Sequence, residues 1–180
     1  NRQQQALTLS YLSLAHQQLG ELEQADHRLQ ESLQLLEPGA IQADSLEQAE
    51  TYAKVLNAQG KLHWLQGDLE PALSVWQTSE QAYHQAGDIV GVAITQMNQA
   101  RVLQYLGLNS QAQSVLEQAY QYLQQQPDVE LKVTGLRHLS GVLRQIGELE
   151  TDQTLLQDGL SLTTKPNSTR LLLLELGNTQ

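Results

Sequence analysis

Cysteine is absent from all 180 residues, which excludes a disulfide framework and thiolate chemistry. No apolar run reaches the roughly eighteen residues that a membrane-spanning helix needs, so no membrane partner is expected. Positive charge is scarce: ten Lys and Arg stand against twenty Asp and Glu, a formal net charge of −10. That balance argues against nucleic acid as a partner and favours solubility. The sequence also lacks H-E-x-x-H, G-x-S-x-G, a phosphate loop and a Cys/His ligand set; those patterns carry the common metal, nucleophile and nucleotide chemistries. No catalytic residue, cofactor or metal is therefore assigned, and an enzyme is the least expected reading. The chain opens on Asn1 with no visible signal peptide. Localisation is only loosely bounded, with a cytoplasmic setting as the expectation.

A period is present. Gly20, Gly67, Gly107 and Gly147 each close an apolar stretch and precede an acidic or Asn residue within two positions. Their spacings are forty-seven, forty and forty residues, the range of stacked helical repeats. Seven positions before each glycine stand Ser13, Gly60, Ala100 and Ser140, and five after it Ala25, Ala72, Ala112 and Asp152. Twelve after it stand Ser32, Ser79, Ala119 and Gly159, while Leu29, Trp76, Leu116 and Leu156 stand nine after it. Small side chains admit a neighbouring helix backbone, and the large ones fill the space between.

With those columns in register, the units resemble tetratricopeptide repeats, whose pattern marks a helix–turn–helix. The small column, then Ala25/Ala72/Ala112 with Leu29/Trp76/Leu116 four residues on, carry the match. The forty-residue period and A-G-D-x-x-G-x-A at 86–93 resemble the longer repeats of bacterial signalling and regulatory proteins, some of which accompany a caspase-like CHAT domain. Asp152 departs from the expected Ala. The resemblance implies an all-α, right-handed superhelical solenoid of four antiparallel helix pairs plus one extra helix. It would form a single repeat domain with units at 1–37, 44–86, 88–126 and 128–164 and a partial fifth at 167–180, a fragment of a longer array.

Local signals place the helices. Pro38-Gly39 stops the second helix, and the extra residues of the first interval fall in the segment 38–44. Asp44 or Ser45 caps the third helix, and Asp88 and Asp128 cap the first helices of units three and four. Pro71 sits in a first turn, where its missing N–H costs little. Thr151, Asp152 and Gly159 make the eighth helix the weakest by propensity. Lys165-Pro166 breaks it, and a ninth helix starts near Ser168. The leucines at 171–174 and 176 lack a covering helix, so self-association through this end is expected.

His16 and His63 share a column with Leu103 and Leu143 and are read as packing residues. Trp76 is read as core. Charge is segregated: the first helices carry eight of the ten cations, while the second helices and linkers hold only Arg28 and Lys165 against fourteen acids. The resemblance implies that first helices line the concave surface. Lys54, Asn57, Lys61 and Trp64 form a helical stripe, with Asn98, Arg101 and Tyr105, then Arg137, His138 and Arg144, on the following first helices. These ten residues are the candidate peptide groove. The expected function is a protein-interaction scaffold binding a peptide or partner segment, acidic by charge complementarity. The alternatives are a regulatory sensor array controlling an attached effector such as a CHAT-type protease, and a structural or oligomerisation array.

Overall fold

A computed structural model describes residues 2–36, 45–162 and 166–177. The stop at Pro38-Gly39, the insertion over 38–44, the Asp44 cap and the break at Lys165 lie outside them. All nine helices of the described residues are α-helical: α1 (Arg2–Leu19), α2 (Leu22–Leu35), α3 (Leu46–Gln66), α4 (Leu69–Ala86), α5 (Ile89–Tyr105), α6 (Asn109–Gln124), α7 (Val129–Ile146), α8 (Leu149–Leu162) and α9 (Pro166–Gly177). The chain divides into two compact units, Asn1–Thr95 and Gln96–Gln180.

One backbone device makes every pair. The recurring glycines take left-handed φ values, 77° at Gly20, 86° at Gly67, 75° at Gly107 and 86° at Gly147, a region open to glycine at little cost. The amide after each glycine then bonds the carbonyl five residues back: Glu21 to His16 at 2.9 Å, Asp68 to His63 at 2.9 Å, Leu108 to Leu103 at 2.8 Å and Glu148 to Leu143 at 2.9 Å. This is the Schellman closure of a helix C-terminus. The same following residue opens the next helix, because its carbonyl accepts from the amide four residues on, as in Asp68 O to Ala72 N at 3.0 Å. Stop and start share two residues, so the chain can only reverse. Gly87 ends α4 in the same way, with φ 73°.

The columns pack as small against large. Ala25, Ala72 and Ala112 are fully buried, as are Leu29, Trp76, Leu116 and Leu156; each buried leucine contributes about 1.5–3 kcal/mol of transfer free energy. In the first unit, Trp76 lies so close over Gly60 that a Cβ there would fall 2.6 Å from the indole nitrogen. The indole N–H donates to the Asn57 side-chain oxygen at 3.0 Å. Two serines of the second helices tie back to the first: Ser32 Oγ donates to Ala6 O at 2.6 Å and Ser79 Oγ to Ala53 O at 2.8 Å. Both hydroxyls are buried and both are satisfied, as burial of a polar group requires.

In the second unit, Gly135 admits Leu123, and Gly159 admits Leu136 with Leu172 of α9. Gly159, a poor helix former, thus gives these leucines room within α8. Packing overrides propensity there.

Glycines with and without a neighbour should behave oppositely. Gly60→Ala drives a methyl into a rigid indole and should cost about 1–3 kcal/mol by overpacking. Gly141→Ala, in the interior of α7 with nothing within 4 Å of the added carbon, should stabilise by up to about 1 kcal/mol. Urea unfolding of both variants measures the difference; equal shifts would dissolve the packing account.

Candidate partner-binding surface

The ten candidate residues draw on both compact units and are placed unit by unit. In the first unit, Lys54 on α3 bonds the Glu50 carboxylate at 2.5 Å, one helical turn earlier. That bond holds the ammonium above its ordinary value, against the partial burial that lowers it, with Tyr11 and Asp88 adding to the rise. Asn57 is occupied on one side by the Trp76 indole. Lys61 is half-buried; Trp64 is likewise half-buried. Tyr83 lies beneath this region, its hydroxyl pushed upward by burial and by Asp88 and Glu50. Around Lys54 the acids therefore outnumber the cation.

The second unit is different. Arg101 of α5 and Arg137 of α7 flank His138, whose imidazole is held below its ordinary value first by burial, then by Arg101 and Arg137, with Glu175 acting the other way. Asn98 is half-buried on α5, and Tyr105 stands 74% exposed at its end. A side-chain amide bond from Gln104 to Gln145, 3.1 Å, joins α5 to α7. Arg144 reaches three groups at once: Ser140 Oγ at 2.7 Å, Asp152 Oδ2 at 3.4 Å and Glu175 Oε2 at 2.6 Å. Arg137 meets the other oxygen of Glu175 at 3.3 Å.

Asp152, in the column that elsewhere holds Ala, is fully buried and opposes Arg144. Its Oδ1 has no hydrogen-bond partner among the described residues. The departure was visible in the sequence; its answering cation was not. Glu175 was also missed, since a single acid inside a leucine run carries no signal until α9 is docked.

His16 and His63 are only partly buried. Each turns toward the acid that follows its glycine, Glu21 at 2.6 Å and Asp68 at 3.8 Å. The Schellman turn brings the pair together across five residues. Among the described residues no group of three or more His, Asp or Glu could hold a metal ion, and no helix is long and apolar enough to cross a membrane.

These helix pairs define a tetratricopeptide-like helical repeat fold, and solved structures share it. The crystal structure of BtubC (BKLC) from P. vanneervenii matches with a TM-score of 0.79 at 14% identity, over 95% of this chain and 70% of that one. The TPR-like repeats of a putative kinesin light chain from Podosopora anserina match at 0.77 and 15% identity, over 99% and 86%. A signal-transduction ATPase with a tetratricopeptide repeat sensor from Pyrococcus horikoshii matches at 0.78 and 12%, over 99% of this chain and 26% of that one. No protein-family model matches the sequence, and no curated protein does.

The environment of His138 sets a pH dependence. Its folded value lies below the 6.5 of free imidazole, so the unfolded chain takes up the proton first. The stability gained by keeping it neutral is present above the unfolded value and is lost as pH falls toward the folded one. Arg101→Gln removes one of the groups that lower it, so the His138 ring should titrate at higher pH than in wild type. Imidazole proton shifts followed by NMR test this; an unchanged titration would separate Arg101 from His138.

Proposed function

We propose that the chain is a protein-interaction scaffold that binds an acidic segment of a partner across the first helices of its second unit. The observation that carries this reading is the placement of Arg101, Arg137 and His138 on α5 and α7, two helices joined by the Gln104–Gln145 side-chain bond at 3.1 Å, with both arginines lowering the imidazole's proton affinity. Side-chain amides at Asn98, Gln104 and Gln145 stand on the same two helices and suit the polar groups of an extended peptide. Lys54, Asn57, Lys61 and Trp64 are assigned a secondary role, because Glu50 and Asp88 offset the charge of Lys54. Tyr105 supplies an exposed ring for apolar or cation–π contact. The fold likeness supports a binding role over a chemical one.

Exposed contacts of this type are worth about 0.2–1 kcal/mol each, so affinity is modest and shared. Arg101→Glu should weaken binding of an acidic peptide by about threefold or more. Raising salt from 0.05 to about 0.3 M should weaken the wild type further, because exposed charges are screened beyond about 10 Å at 0.1 M. Fluorescence anisotropy at two ionic strengths reads both; selection of basic peptides instead would end this reading.

A sensor array controlling an attached effector, a CHAT-type protease among the candidates, is the second reading. The likeness to the repeat sensor of a signal-transduction ATPase supports it. The ninth helix adds a further surface: Leu173 and Leu174 are 52% and 56% exposed beside Pro166, Thr169 and Arg170. An apolar face of that kind favours self-association. Sedimentation should show concentration-dependent dimers that Leu173→Glu, Leu174→Glu abolishes; a strict monomer at high concentration would remove this role.

A further inference from the structure

The two arginines nearest the proposed binding surface already hold a carboxylate, and it belongs to the protein. Glu175 of α9 spans them, Oε2 on Arg144 Nη2 at 2.6 Å and Oε1 on Arg137 Nη2 at 3.3 Å. About two turns earlier, Ser168 Oγ of α9 donates to the Glu130 carboxylate of α7, 2.6 and 2.7 Å from its two oxygens. Polar contacts thus fasten α9 at both ends. The apolar contribution is confined to two leucines among the described residues: Leu172, buried with Val133, Leu136 and Leu156, and the partly buried Leu176 packed against that cluster, while Leu171, Leu173 and Leu174 face solvent.

We propose that Glu175 is a built-in competitor: α9 is a displaceable cover, and an acidic partner segment takes the place of the Glu175 carboxylate on Arg137 and Arg144. The inference rests on the acidic-segment reading above. Charge and geometry carry it. A carboxylate-bearing segment lying along Arg101 and His138 next meets Arg137, which Glu175 already occupies. Both carboxylates cannot take the same guanidinium edge, so ligand binding and α9 docking oppose each other. The apparent affinity is then reduced by the fraction of molecules with the cover in place, and by linkage the ligand loosens α9 by the same factor. Releasing α9 uncovers Leu172 and the core residues Val133, Leu136 and Leu156 that it packs with, a cost that opposes displacement, while both ion pairs are replaced by the ligand's own.

The test uses the full chain and labelled oligo-glutamate as probe. Glu175→Gln removes the competing charge and should tighten binding by about three- to tenfold, the scale of two partly exposed ion pairs. Ser168→Ala loosens the other end of α9 without touching either arginine and should tighten binding in the same direction. Asp158→Asn changes the net charge equally at an exposed position of α8 and should leave affinity within about twofold. Placing Arg137→Gln and Arg144→Gln in the Glu175→Gln background should abolish the gain. Hydrogen exchange of the α9 amides should accelerate when wild type is saturated with probe. The proposal is overturned if Glu175→Gln gains no more than Asp158→Asn, if the gain survives loss of both arginines, if Ser168→Ala leaves affinity unchanged, or if α9 exchange ignores the probe. Binding that depends on Arg101 but not on Glu175 would sink this inference alone; no binding to wild type or to Glu175→Gln would sink the acidic-segment reading with it.

Discussion

A hydrogen bond over a left-handed glycine is the constraint on which the rest depends. Each turn joins the amide after glycine to a carbonyl in the last turn of the preceding helix, and the two helices it joins have no freedom to continue. Orphan carbonyls that a helix end would otherwise leave to water are satisfied within the turn. The reversal lays the small-residue column of one helix against the large-residue column of the next. Trp76 over Gly60 expresses that fit in the first unit. The buried serines Ser32 and Ser79 close on carbonyls twenty-six residues away, adding polar ties where a larger side chain would not fit.

The fourth pair shows how far the pattern can be bent. Asp152 stands where a methyl group would suffice, and Gly159 weakens the helix that carries it. A buried carboxylate is tolerable only beside an opposite charge, and Arg144 provides it at 3.4 Å. The same guanidinium reaches Glu175, so α7, α8 and α9 meet through one side chain. Whatever a partner does at Arg144 is therefore felt by α8 and α9. In the proposed reading, structural support and recognition share a residue here, whereas the partner of Lys54, Glu50, lies on its own helix.

Much of the architecture could be read from residue order alone. Helix boundaries followed from Ser45, Asp128 and the glycines, because caps and left-handed turns are local and depend on a few adjacent residues. Ser45 accepts from Gln48 N, and Asp128 accepts from Leu131 N. The packing columns were legible because a repeat presents the same physical problem several times, which separates required residues from incidental ones. Tertiary structure decided the charges. A cation on a helix face looks the same in sequence whether it meets solvent, a partner or an acid thirty-one or thirty-eight residues away, as Arg144 and Arg137 do with Glu175. Local chemistry sets where a helix ends; only the stacking of helices brings distant carboxylates within reach, because ion pairing falls with distance in space and not along the chain.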